Sequence, residues 1–389
     1  MPLQPWDEKC STEFVDVELQ LRKDSLGRFL GQLSLPLGET FTRVLPEPPY
    51  SELDEVGISA TFFGEDTVRL YGRRLFEWLF DEELRKGFLR SRMMVGSPGS
   101  NRLRFHLRLA ADLPDRFSSL QWETMRYERD DWRMACETAF ARTKAAPALS
   151  RPLLMNRPFT LLAAATSATS PSQQQEVRHV DVLSGFKRNV IRPLGDLIDA
   201  RFVYPPLTPG QFRDVVGEGS WNFTVLCGPI GGNPPAPVLW FDGSAGKGEP
   251  VSWSEVAHTV CKDSPPALLV VLAHPYQGDR SPAQASPNLA GEFLAAGVRA
   301  IVEFFGPVDG DHFRVFGEAF FSRFLQTGSV DEAVAAGRRR LWSEKPEPWI
   351  WTYPVLTLYS SSDSQQFFLL PSDLERDLSE LGASRSLSR

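Results

Sequence analysis

The sharpest feature of the hydrophobic pattern is a run of seven apolar residues, 267–273, which stops at His274 and Pro275. Such a run is typical of a strand buried on both faces of a parallel sheet. A second strand of the same character, Phe223 to Cys227, leads into a segment rich in Gly and Pro. Because α/β folds place their chemistry just after strands of this kind, we expect the candidate site at these two strand ends.

Strands and helices alternate through the second half of the chain. Helices are predicted between apolar strands at 159–165, 202–205, 223–227, 267–273, 297–305 and 351–359. Thr208 and Ser252 stand where two of the helices begin and are predicted N-caps, and a longer helix is predicted over 176–200. Alternation of this kind implies parallel strands joined by right-handed crossovers. The predicted fold class is therefore α/β, a parallel sheet flanked by helices.

The first part of the chain has a different pattern. Alternating apolar and polar residues over 14–21 and 27–37 predict an antiparallel pair of strands, and apolar residues at helical spacing follow over 70–95. His106 and the basic run Arg338–Arg340 are predicted on solvent-facing surfaces. We expect a flexible lead-in (1–13), a smaller α+β N-terminal unit (14–142), a connector (143–158), the α/β domain (159–362) and a C-terminal tail (363–389).

Composition narrows the classes of function. A formal net charge of -7 and a pI near 5.5 argue against a nucleic-acid partner, which needs a clustered excess of Lys and Arg. The four cysteines are scattered without metal-binding spacing, so we expect reduced thiols, no metal and no cofactor. The N-terminus shows no secretory signal, and no apolar run reaches the ~20 residues that span a bilayer. These features predict a cytoplasmic protein without a membrane partner.

A series of short blocks follows one another in the order of a known family. The blocks are Leu120–Glu123, Phe223–Gly228, Leu239–Gly243, Leu268–Gly278, Leu289–Asp309 and Pro348–Pro354. Over residues 115–360 they resemble the CHAT domain, the caspase-like cysteine peptidase domain of the separase and gingipain clan. The resemblance implies a caspase-like parallel sheet flanked by helices. It also implies a mechanism in which a His activates a Cys across two adjacent strand ends.

The two positions that would carry this mechanism are occupied by proline. Alignment of the first strand end places Pro229 at the family's His position, and alignment of the second places Pro275 at its Cys position. Proline has no nucleophilic or titratable atom, and it lacks the backbone N–H that could stabilise an oxyanion. We therefore expect no catalytic residue at the dyad positions.

A Cys and a His still lie nearby, with their strands exchanged. Cys227 lies two residues before Pro229, and His274 lies one residue before Pro275. In a parallel sheet a one-residue offset turns a side chain to the opposite face, so Cys227 and His274 are not expected to meet. Cys227 is then a small buried residue and His274 a strand-end residue bonded to a loop. A rearranged Cys227/His274 dyad is the alternative.

The resemblance and the departure together predict a catalytically inactive CHAT pseudoprotease, a protein-binding scaffold or regulator in a bacterial antiphage defence or conflict system. The expected partner is a protein, such as an active protease or effector encoded nearby, and the degenerate groove would hold a peptide. The loops 228–237 and 274–288 would form the docking surface. The alternatives are an active cysteine peptidase with the rearranged pair and a structural subunit of a larger assembly. The predicted binding residues are Gly228, Pro229, Asn233, Asp242, His274, Pro275, Tyr276 and Gln277.

Overall fold

The computed structural model of the protein describes residues 14–51, 53, 65–95, 103–143, 153–167, 179–231, 238–243, 248–262, 268–275, 289–304, 308–344, 352, 354–358 and 367–369. Thirteen strands of these residues form one sheet. They are β1 (Val15–Lys23), β2 (Phe29–Ser34), β3 (Thr40–Val44), β4 (Leu103–Leu109), β5 (Ala139–Thr143), β6 (Phe159–Ala165), β7 (Ile198–Val203), β8 (Phe223–Gly231), β9 (Val238–Asp242), β10 (Gly248–Ser252), β11 (Leu268–Pro275), β12 (Ala300–Phe304) and β13 (Pro354–Leu358).

Helices lie against both faces of this sheet. They are α1 (Glu65–Leu79), α2 (Glu82–Met94), α3 (Asp115–Ser119), α4 (Met134–Glu137), α5 (His179–Phe186), α6 (Pro209–Gly217), α7 (Trp253–Cys261), α8 (Leu289–Ala295), α9 (Gly310–Thr327) and α10 (Val330–Glu344). Two pairs of two-residue strands stand outside the sheet: Arg126–Tyr127 with Trp132–Arg133, and Leu153–Leu154 with Phe368–Leu369.

The order of strands in the sheet is β7-β6-β8-β11-β12-β13-β5-β4-β1-β2-β3, and β9 and β10 form an antiparallel extension of β8. The strands β7, β6, β8, β11 and β12 are parallel neighbours. This arrangement confirms the predicted α/β class, a parallel sheet flanked by helices.

The strands β6 and β12 and residues 223–229 of β8 are buried along almost their whole length, which explains why they read as continuous apolar runs. On one face, Val225 and Cys227 belong to a large core that includes residues of α5, α9 and α10. On the other face, Leu226 belongs to a smaller core with residues of α6, α7 and α8. Phenylalanine rings stack along α9 in the larger core, and each ring pair adds about 0.5–1.5 kcal/mol beyond simple burial.

The sheet is continuous between the predicted N-terminal unit and the predicted α/β domain. β13 pairs with β5, where Thr357 lies opposite Arg142, and β5 leads through β4 to β1. The strands of residues 15–143 therefore extend the same sheet as β6 to β13. The division of the chain at 143–158 stays a prediction, since residues 144–152 lie outside the described ranges.

Arg338 joins these two parts of the sheet, and the prediction that it faces solvent is wrong. Its side chain is fully buried. The Nε and Nη2 atoms donate to the carbonyl oxygen of Pro354 in β13, at 3.0 and 2.7 Å. The Nη1 atom donates to the carbonyl oxygen of Phe140 in β5, at 3.1 Å. In the same basic run, the side chain of Arg340 is half exposed.

His106 is also buried, at 4% exposed, and its assignment to the surface is wrong. Its Nε2 atom lies 3.7 Å from Oδ2 of Asp331 in α10, and Nε of Arg104 donates to the same oxygen at 2.7 Å. Burial acts to raise the pKa of Asp331, but the charge of Arg104 holds that pKa below its usual value. Two of the polar positions of β4, Arg104 and His106, are therefore buried against Asp331 of α10.

Local signals at helix ends are informative in this chain. Thr208 and Ser252 are N-caps, as predicted: the hydroxyls accept from the backbone N–H of Gln211 and Glu255, each at 3.2 Å. The helix predicted over 176–200 is wrong in extent, because α5 ends at Phe186. A π-helical segment follows over 187–191 and a 3₁₀-helical segment over 192–197. These segments contain a proline and a glycine with φ of 55°, and neither continues an α-helix.

Candidate functional site

The carboxyl-terminal ends of β8 and β11 lie side by side, where the sequence predicts the candidate site. The two prolines are not opposite each other in the register of β8 on β11. His274 lies two positions beyond the register partner of Cys227, so the predicted odd offset between these residues is wrong. The pairs at the strand ends are Cys227 with Leu272, Pro229 with His274, and Ile230 with Pro275.

Strand β8 extends further than the sequence predicts. It continues to Gly231, which pairs with β9, so Gly228 and Pro229 lie within a strand and the prediction of a loop from residue 228 is wrong. Pro229 is buried and lies two residues beyond Cys227, which is the last residue of β8 that pairs with β6. Its missing N–H is tolerated where a strand loses a neighbour.

Cys227 lies in an apolar environment. Its side chain is 1% exposed and belongs to the larger core. Burial raises the pKa of its thiol, so the thiol is protonated at neutral pH. Because the thiolate is the nucleophilic form of cysteine, this position favours packing over chemistry.

Gly228 allows three chain segments to approach one another. A Cβ atom at this position would lie 2.9 Å from Cδ1 of Leu239 in β9 and 3.1 Å from Oγ1 of Thr166, the residue after β6. The Thr166 hydroxyl donates to the carbonyl oxygen of Trp240 at 2.7 Å, and its backbone N–H donates to the carbonyl oxygen of Cys227 at 3.0 Å. These contacts fix β9 against the end of β8.

Asp242, a predicted binding residue, is engaged by the chain itself. Its carboxylate accepts from the backbone N–H and hydroxyl of Ser167, at 3.2 and 2.7 Å, and from the backbone N–H of Leu207 at 2.7 Å. Its own backbone N–H donates to the carbonyl oxygen of Leu207 at 3.0 Å. Three of the roughly four acceptor positions of a carboxylate are thereby used. Asp242 fastens the end of β9 to the segments that follow β6 and precede α6.

His179 belongs to this site, although the sequence analysis did not place it there. It is the first residue of α5 and is 7% exposed. Burial lowers the pKa of its imidazole to about 4, against the opposing effects of a hydrogen bond with the backbone of Thr166 and the charge of Asp242. The imidazole is therefore neutral at pH 7. Its neighbours lie far from it in the sequence, so no local pattern indicates the cluster.

Several predicted residues cannot be compared with this geometry. Asn233, Tyr276 and Gln277 lie outside the described residues, and for His274 and Pro275 only the backbone is described. In the part of the chain that the structure covers, no three His, Cys, Asp or Glu side chains are grouped as metal ligands would be. Within the same ranges, no helix combines the length and apolar character that a membrane span needs.

The blocks of sequence and the fold match known proteins. A family model described as the CHAT domain matches residues 69–359, beginning within α1. A chain of the separase–securin complex of Saccharomyces cerevisiae is similar with a TM-score of 0.50 and 10% identity, over 88% of this chain and 30% of that chain. A secreted C11 cysteine protease from Bacteroides thetaiotaomicron, solved with an irreversible peptide inhibitor, gives a TM-score of 0.30 and 8% identity, over 48% of this chain and 59% of that one.

These likenesses concern the fold. The identities are low, and the chain spans less than a third of the separase–securin chain that it resembles. No curated protein matches the chain in sequence. The predicted resemblance to a caspase-like peptidase family is confirmed by the family match.

Proposed function

The chain belongs to the CHAT domain family, and we propose that it is a catalytically inactive member, a scaffold or regulator that binds proteins in a bacterial defence or conflict system. The proposal rests on the end of strand β8. Pro229 stands where the family alignment expects a His, and the nearby Cys227 is a buried, protonated thiol. A cysteine peptidase needs a thiolate within reach of a base, and neither residue supplies that arrangement.

The docking surface proposed is the carboxyl-terminal end of the parallel strands. There, hydrogen bonds of Thr166 and Asp242 and the close packing at Gly228 hold β9 and the segment after β6 against the end of β8. A surface that is ordered before binding loses less conformational entropy when a partner docks. One structural neighbour was solved as a separase–securin complex, and by analogy we propose a protein partner for this chain.

The test compares Cys227→Ala with wild-type protein in two assays. We expect the variant to retain binding to proteins encoded beside the gene, and we expect no labelling of Cys227 in the folded wild type by a thiol-directed peptidase probe. Cys261→Ala is the matched control. Cys261 is partly exposed, and its replacement removes a thiol that lies outside the candidate site. Thiol-dependent cleavage of a neighbouring protein, lost in Cys227→Ala and kept in Cys261→Ala, would refute the proposal.

An active peptidase with a rearranged pair is the second candidate, and the register favours it more than the sequence did. Cys227 and His274 lie on adjacent strands with an even offset, the parity that places two positions on one face of a sheet. Activity would require the Cys227 thiol to leave the apolar core and ionise. Loss of peptide cleavage in both Cys227→Ala and His274→Ala would support this candidate.

A further inference from the structure

The last described segment, residues 367–369, packs against the amino-terminal end of β6 and against α9; we call it the C-terminal arm. The Phe368 ring packs at 4.9 Å from Phe159 and 5.4 Å from Phe324, and Phe367 is fully buried. Residues 368–369 pair in parallel with Leu153–Leu154. The arm is therefore held by two aromatic side chains and a short ladder, at the end of the strands opposite to the candidate site.

The arm is also bonded to the turn that joins α9 to α10; this turn and the first two residues of α10, residues 328–331, are here called the junction turn. The backbone N–H of Phe367 donates to the carbonyl oxygen of Gly328 at 2.8 Å. Gly328 ends α9 with φ of 65°, and the position of a Cβ atom there would lie 3.4 Å from the carbonyl oxygen of Phe368. This left-handed turn therefore stands directly against the arm.

The other side of the junction turn contacts β4 and, through Arg104 of β4, the strand β1. Ser329 accepts from Nη2 of Arg104 in β4 at 3.3 Å and donates to Asp331 at 2.6 Å. The Arg104 guanidinium also lies 3.9 Å from the ring centroid of Phe14, the residue before β1, and 3.3 Å from Oδ1 of Asp16 in β1. Consecutive residues of one turn thus bind the arm on one side and β4 with β1 on the other.

We propose that the junction turn is a conformational device that couples the C-terminal arm to the attachment of β1 and β4. When the arm is bound to the protein, it stabilises the left-handed conformation of Gly328. Ser329 and Asp331 are then positioned to accept hydrogen bonds from Arg104. Release of the Phe367–Phe368 pair removes this support, and the contacts between α10 and β4 weaken. Both segments bias the same turn, which is the physical requirement for coupling between them. The device does not depend on whether the protein cleaves peptides.

Hydrogen exchange on the full chain tests the coupling. In Phe368→Ala, we expect the amides of β1 and β4 to exchange about tenfold faster than in wild type, although Phe368 makes no ring contact with either strand. The matched control is Phe293→Ala, a fully buried phenylalanine of the smaller core. We expect it to accelerate exchange in α7 and α8 and to leave β1 and β4 unchanged. Faster exchange of Leu153 and the arm, with β1 and β4 at wild-type rates, would overturn the proposal.

A double-mutant cycle gives a second readout that needs only conservative changes. Phe368→Leu keeps an apolar side chain in the arm's site, and Ser329→Ala removes the hydroxyl that joins Arg104 to Asp331. Coupled sites give a non-additive shift of the urea midpoint in the double variant. An additive shift, together with wild-type exchange in β1 for both single variants, would show that the arm and the N-terminal strands are independent.

Discussion

At the scale of single residues, the fold depends on polar side chains that the sequence pattern assigns to solvent. Burial lowers the pKa of Arg338 to about 10, so the guanidinium keeps its charge at neutral pH inside the core. Its hydrogen bonds to the carbonyl oxygens of Pro354 and Phe140 compensate for lost hydration. A run of three arginines on a helix usually marks a solvated surface, and nothing within the run shows that one of them bonds two strands of the sheet.

We expect Arg338→Met to lower the free energy of unfolding by about 3 kcal/mol, because buried carbonyl groups lose their donors. Arg340→Met is the control on the same helix. Arg340 is half exposed and pairs with Glu344, so its replacement should change stability by less than about 0.5 kcal/mol. Urea denaturation of both variants measures the difference. Equal stability losses would contradict the role given to Arg338.

His179 gives a pH dependence of defined sign. Its folded pKa, about 4, lies below the ordinary value of 6.5 because of burial. Its contribution to stability is therefore complete above about pH 6.5 and is lost as the pH falls towards 4, by up to about 3 kcal/mol. We expect His179→Asn to flatten this part of the profile of unfolding free energy against pH.

The control for that measurement is His258→Asn on the exposed side of α7. Its profile should run parallel to that of wild type between pH 4 and 6.5. Carboxylates that titrate in the same range contribute to every profile, so the difference between variants isolates the histidine. A His179→Asn profile parallel to wild type would mean that His179 titrates at its ordinary pKa.

At the scale of elements, the packing of β9 on the end of β8 depends on Gly228. A methyl group there would contact Leu239 and Thr166 at 2.9 and 3.1 Å. We expect Gly228→Ala to displace β9 and to cost about 1–3 kcal/mol. The same change should weaken partner binding at the proposed docking surface. Thermal unfolding and a partner-binding assay measure the two effects.

Gly217→Ala is the matched control for that substitution. Gly217 ends α6, and a Cβ atom at this position would have no neighbour within 4 Å. Replacement should leave stability unchanged or slightly improve it, because alanine loses less backbone entropy on folding than glycine does. Equal effects of the two substitutions would mean that the contacts of Gly228 do not control the position of β9.

The elements that sequence alone predicts best are those with a local cause. Thr208 and Ser252 are local signals for helix starts, and both cap as expected. The register of β8 on β11 has no such cause, because both strands are nearly continuous apolar runs in the sequence and differ only slightly along their length. Distances to the two prolines along the chain predicted an odd offset between Cys227 and His274, whereas the register gives an even one.

At the scale of the whole molecule, long-range partners explain what the sequence could not indicate. The polar residues of β4 resemble a solvent face until α10 brings Asp331 to His106 and Arg104, which lie over two hundred positions earlier in the chain. In the same way, His179 lies in the candidate site because the fold places α5 beside Thr166, which follows β6, and Asp242 of β9. The family and the core of the fold were predictable from ordered local blocks. The buried polar contacts were not.

The continuity of the sheet predicts how a shortened chain behaves. In a fragment of residues 159–389, β13 keeps β12 but loses β5, and Arg338 loses its bond to Phe140. We expect this fragment to unfold at lower urea concentration than the full chain and to form oligomers in size-exclusion chromatography. A monomeric fragment with the stability of the full chain would show that the predicted α/β domain is independent.

The pairing of β5 with β13 therefore affects how partners should be sought. Every described residue of β13 is buried in the full chain, so removal of β5 would create an apolar edge strand with open hydrogen-bonding positions. Such an edge is a template for pairing with other extended chains, including further copies of the fragment. A shortened bait would then capture proteins through its exposed β13 edge, so a bait for native partners should contain both β5 and β13.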